Sequence, residues 1–111
     1  MKIIINTKTP DALKKAILSD VENGNLPTWE LRTNNNGDKL LTHSPEQWVD
    51  QVLLRLTPYT TTNQLVVEPR HWSNIPKASD EVIGTVLGRF CERLFVQYPS
   101  KMNSFVADMS K

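Results

Sequence analysis

A single cysteine, Cys91, excludes an intrachain disulfide. With only two histidines beside it, a thiolate zinc site would have to borrow carboxylates. Charge of one sign is equally scarce: 13 basic and 12 acidic residues leave a formal charge of +1. No basic field therefore draws the chain to nucleic acid or to an anionic membrane. Long apolar runs are missing too. Nothing approaches the ~18 residues of a membrane span, and MKIIIN turns polar too early for a signal peptide. There is no glycine-rich phosphate loop, no H-E-x-x-H, no G-x-S-x-G, no Cys-x-x-Cys, no helix-turn-helix pattern and no aromatic RNA-binding signature. These absences argue against the common enzyme and nucleic-acid classes. The expectation is a soluble, cytoplasmic protein with no cofactor and no metal. At 111 residues it forms one domain, 1–111, large enough for a core without staples. No repeat, linker or low-complexity stretch suggests a second domain.

What the chain does carry is periodicity. Val82/Ile83, Val86/Leu87, Phe90/Cys91, Leu94/Phe95 and Tyr98 recur on a helical rhythm. Ser79 caps that helix, Asp80 and Glu81 suit its first turn, and Pro99 lies just past its end. Thr9-Pro10-Asp11 reads as a second helix start, with Thr9 as cap. Leu13, Ala16, Ile17 and Val21 form its buried stripe, and Gly24 ends it in the left-handed conformation.

The remaining segments read as strands. Ile3-Ile4-Ile5 predicts a strand buried on both faces. Thr28–Thr33 alternates, Asn36-Gly37 signals a hairpin, and Lys39–His43 returns. Ser44-Pro45-Glu46-Gln47 reads as a capping box opening a short turn that carries Trp48. Val52, Leu54 and Leu56 alternate with Leu53, Arg55 and Thr57 in a strand closed by Pro58. Tyr59–Asn63 is a polar turn, and Gln64–Glu68 is the partner strand. Pro69–Ser79 is the longest loop. The tail, with Met102, Phe105, Val106 and Met109, fits either a last helical turn or an edge strand. The order β-α-β-β-β-β-α predicts an α+β fold: one mostly antiparallel sheet of four to five strands, with two helices on one face.

Few residues suggest chemistry. His43 and His71 titrate near neutrality unaided and stand at predicted strand ends. With Arg70 or Lys39 they could act as acid and base on a phosphodiester. The plainer reading makes each a polar strand-end residue packed on a neighbouring tryptophan. Trp29, Trp48 and Trp72 are many for this length, and tryptophan is over-represented at binding hot spots. Trp29 suits the core. Trp72 sits with Arg70 in a proline-flanked loop that can present side chains at low ordering cost, with Trp48 beside it. Gly84 and Gly88 each cost about 1 kcal/mol against alanine in a helix, which suggests a close backbone approach to the sheet, another helix or a second copy. Arg89 pairs with Glu92 on the outer face. Cys91 reads as an inert core thiol, and Asp50 and Glu68 as isolated acids.

The layout of Thr28-Trp29, then Leu41-Thr42-His43-Ser44-Pro45-Glu46-Gln47-Trp48, then Gly88-Arg89-Phe90-x-Glu92-x-Leu94 resembles small bacterial proteins of about this length with no assigned function. The resemblance implies a free-standing bacterial domain and brings no site residues with it. The leading expectation is a non-enzymatic protein-interaction module of inhibitor, immunity or adaptor type, monomeric or homodimeric. It would meet an unidentified protein partner through Arg70, Trp72 and Trp48. One alternative is a small hydrolase or nuclease using His43 and His71. Another is a single-stranded RNA binder using Trp29 or Trp72 with Arg32, Arg55 and Arg70.

Overall fold

The computed structural model describes residues 1–45 and 47–110. Its strands are β1 (Lys2–Asn6), β2 (Trp29–Thr33), β3 (Lys39–His43), β4 (Leu53–Tyr59), β5 (Gln64–Arg70) and β6 (Ser104–Asp108). The helices are α1 (Pro10–Glu22) and α2 (Asp80–Gln97), and a 3-10 turn spans Pro99–Lys101. All the strands join one antiparallel sheet in the order β2-β3-β4-β5-β1-β6. The sheet thus has six strands where four to five are expected. The sixth is the tail, which settles as an edge strand beside β1 because β1 would otherwise leave its backbone unpaired.

Strand parity separates the two faces. Trp29, Leu41, Leu54, Leu56, Leu65, Val67, Ile3 and Ile5 point one way. They share a core with Leu13, Ile17 and Val21 of α1 and with Ile83, Val86, Leu87, Phe90 and Leu94 of α2. Both helices therefore cover the same face. Ile4 departs from expectation in being only half-buried, and Leu31 of the alternating β2 is half-buried too. Ile4 belongs to the other face, opposite Val66 and Val106. Three consecutive β-branched residues thus mark a strand here without both sides being covered.

Local signals mostly hold. Ser79 Oγ accepts from the Val82 N–H at 3.3 Å. Gly24 follows the α1 cap at φ 78°, and Gly37 turns the hairpin at φ 82°. That hairpin is a five-residue loop rather than a two-residue one. Asn34 Oδ1 holds it, accepting from the N–H groups of Asn36 and Asp38. Thr9 does not cap α1 with its side chain. Instead the buried Thr7 hydroxyl accepts from the Thr9 N–H and donates to the Lys101 carbonyl at 2.7 Å.

Glu46 of the expected capping box lies outside the described residues, and Pro45 opens a turn by accepting from the N–H groups of Trp48 and Val49. Pro58 and Pro69 do not bound their strands but lie inside β4 and β5. Each sits where its strand has one neighbour: β3 pairs β4 only as far as Arg55, and β1 pairs β5 only as far as Val67. A missing N–H breaks no ladder bond on an unpaired side. The long loop consequently starts at His71.

Phe95, expected on the buried side of α2, is 70% exposed and rests edge-on against Phe105 of β6 at 5.1 Å. Gly84 and Gly88 make no close approach within the chain. A Cβ on Gly88 would meet nothing, and one on Gly84 only the tip of Met1. Cys91 is half-buried at the core's margin, where burial pushes its thiol pKa up. Arg89 and Glu92 pair at 3.0 Å as expected. Among the described residues, no helix is long and apolar enough to cross a membrane.

Candidate functional site

The face without helices carries the polar phase of the strands. Register places Arg32, Leu40, Thr42, Leu53, Arg55, Glu68 and Arg70 on it. Between the Asn34–Asn36 loop and the segment His71–Asn74 runs a groove of about 490 Å³. Leu40 and Leu53 are buried beneath it, and Arg55, Arg70 and Trp72 line it. Arg70 contacts Glu68 at 3.3 Å and Arg55 contacts Asp38 at 3.7 Å. Both pairs are solvent-exposed and worth little, so their guanidinium groups can exchange partners at small cost.

Asp50 fixes one wall. Its carboxylate accepts from Arg32 Nε at 2.9 Å and Arg32 Nη2 at 3.3 Å, and from Trp72 Nε1 at 3.5 Å. Its N–H donates to the buried Thr42 hydroxyl at 2.8 Å. Asp50 reaches all three by adopting φ 60°, a left-handed conformation that aspartate tolerates better than most residues. The forked Arg32 contact raises that guanidinium's pKa, with the Asp50 hydrogen bond as the main cause. Sequence reading passes Asp50 over as a lone acid. Its partners lie 18 and 22 residues away, and no spacing rule reveals that.

The expected site residues divide. Arg70 and Trp72 line the groove together. Trp48 does not join them. Its ring tilts over His43 at 5.5 Å, packed against the helix-side core. Trp29 is buried in that core, edge-on to His43 at 4.7 Å and to Phe90 at 5.5 Å. His43 is itself only 5% exposed, and its buried Nδ1 has no hydrogen-bond partner among the described residues. His71 is exposed and borders the groove, whereas His43 does not line it. The two imidazoles thus occupy different environments, one between tryptophans and one in solvent. No group of three or more His, Cys, Asp or Glu that could hold a metal exists among the described residues.

Burial lowers the pKa of His43 below its usual 6.5, and the Arg89 charge lowers it further, while Glu92 opposes them. The unfolded chain therefore binds a proton more readily than the folded one. Stability is fully present above pH 6.5 and falls as pH drops from there to the folded-state pKa. Denaturant midpoints measured across this window should decline with acidification in the wild type. His43→Phe should flatten the slope, and an unchanged slope would mean that His43 is not the group being charged.

Compared with known proteins, the chain matches no family model, no curated protein and no solved structure.

Proposed function

We propose that this chain is a non-enzymatic protein-interaction module, and that it meets its partner through the groove on the helix-free face. The observation that carries the reading is the placement of Trp72. Its ring is half-buried, lines the groove beside Arg70 and is held at the indole nitrogen by Asp50. A fixed aromatic anchor next to an arginine is the composition of an interface hot spot, and prior anchoring lowers the ordering cost of binding. A partner with an apolar side chain for the Trp72 ring, and carboxylates or carbonyls for Arg55 and Arg70, fits this surface.

The test is affinity capture followed by identification of the bound protein. Wild type should retain a partner that Trp72→Ala loses by at least tenfold, with the far-ultraviolet spectrum unchanged. Equal retention by both would remove the groove from the interface. Iodide quenching of a single-tryptophan variant keeping Trp72 gives an independent check, since full protection would bury the anchor.

The RNA-binding reading has one observation in its favour. Arg32, Arg55, Arg70 and Trp72 share this face. Against it, Trp29 is in the core and Arg32 is held by the forked contact to Asp50. The hydrolase reading needs His43 and His71 on one substrate, and the burial of His43 between two tryptophans offers it no support.

A further inference from the structure

The two edges of the sheet are built differently. β2 ends it with Glu30 and Arg32, the latter locked to Asp50. Charges of this kind guard an edge against pairing with another chain. β6 has the sequence Ser-Phe-Val-Ala-Asp, whose single charge, Asp108, stands at its end, and among the described residues it pairs with β1 alone. Its outer backbone groups are therefore available to a further strand. Apolar exposure gathers at the same edge. Of the five large apolar side chains exposed among the described residues, three lie at this edge: Phe95 against Phe105, and Val106 and Met109 in and next to β6. Val106 is 52% exposed and Met109 65%. Above β6, the flank of α2 that carries Phe95 also carries Gly88, around which the chain leaves open space.

We propose that a second copy of this chain occupies this edge. β6 pairs antiparallel with β6 of the partner about a two-fold axis through Val106, continuing the sheet across both protomers. This register is self-complementary. Phe105 stands opposite the small Ala107 of the other copy on the helix side, and Val106 meets its own equivalent on the other. Asp108 meets Ser104, so no like charges oppose each other. The two α2 helices come alongside across the axis, where Phe95 is covered and Gly88 leaves room for it. Phe95, Phe105, Val106 and Met109, taken over both copies, supply roughly 800 Å² of apolar surface, below the about 1,200–2,000 Å² of stable complexes, so the dimer is a weak one. Backbone pairing along β6 adds direction to that area. The groove lined by Trp72 takes no part and stays open in the dimer.

Sedimentation velocity tests this directly. The wild type should sediment as a dimer at high micromolar concentration. Val106→Lys, which places two like charges on the axis, should raise the dissociation constant at least tenfold. Tyr59→Lys, the same change at the exposed aromatic away from this edge, should leave dimerisation unchanged. If Val106→Lys fails to fold by circular dichroism, Phe95→Asp on the outer flank of α2 gives the same readout. Val106→Cys in a Cys91→Ser background should form an intermolecular disulfide on mild oxidation, because the two-fold brings the introduced thiols together. A monomeric wild type, or a dimer insensitive to Val106→Lys and Phe95→Asp, overturns the proposal. So does a dimer in which the Val106→Cys variant fails to cross-link.

Discussion

Replacing Phe90 with alanine is expected to remove about 3–5 kcal/mol of stability, read as a fall in the denaturant midpoint at unchanged slope. Phe90 lies in the middle of α2 with no exposed surface. Its ring stands edge-on to Trp29, which in turn touches His43, whose other side meets Trp48. The substitution deletes a large buried ring and leaves a cavity that these neighbours, seated on β2, β3 and the segment after β3, cannot close together. Phe90→Leu, which retains most of the volume, should cost distinctly less. A near-neutral alanine variant would show that α2 is not seated on the sheet as described.

The second large effect is expected at Asp50. Asp50→Ala strips the forked acceptor from Arg32 and the acceptor from Trp72, and puts a residue ill-suited to φ 60° in its place. A hydrogen bond to a charged group contributes about 1.5–3 kcal/mol, reduced here because both side chains are about a third exposed. The left-handed conformation adds about 1 kcal/mol for alanine. The sum is a loss of roughly 2–3 kcal/mol. Two companion variants separate the causes. Asp50→Gly removes the carboxylate but accepts the backbone conformation. Asp50→Asn keeps the conformation and one neutral acceptor. The expected order of denaturant midpoints is wild type, then Asn, then Gly, then Ala. An alanine variant as stable as the glycine variant would show that the backbone carries no strain there.

These two sites differ sharply in how visible they are in the sequence. Phe90 belongs to a helical rhythm that also places Val86, Leu87 and Leu94 in the core. The Ser79 cap, the Asn36-Gly37 turn and the strand alternation are visible for the same reason: each is decided by residues within one or two turns of chain. Parity fails at Ile3-Ile4-Ile5, where an unbroken run offers no alternation to read. Pro58 and Pro69 mislead because whether a proline can sit in a strand depends on which neighbour is present at that level of the sheet. The tail is ambiguous because its strand character comes from the unpaired side of β1 more than from its own residues. Arg70 and Trp72 can be singled out by residue type. Asp50 cannot, since its role exists only once the segment after β3 crosses to the helix-free face. Trp48 follows that same segment but turns to the core instead.

The sheet order also sets a timetable. β2, β3, β4 and β5 are successive neighbours, each able to pair as soon as the next is made. β1 is the exception. Although it leads the chain, it lies between β5 and β6, and neither exists until Gln64 and then Ser104 have been synthesised. Ile3, Ile4 and Ile5 therefore leave the ribosome with no strand to join, and wait while the meander assembles without them. Closing so long a loop is the slowest kind of contact to form. The most β-prone run in the protein is also the one that must stay unpaired longest, which makes the nascent chain more vulnerable to wrong association than the folded protein is.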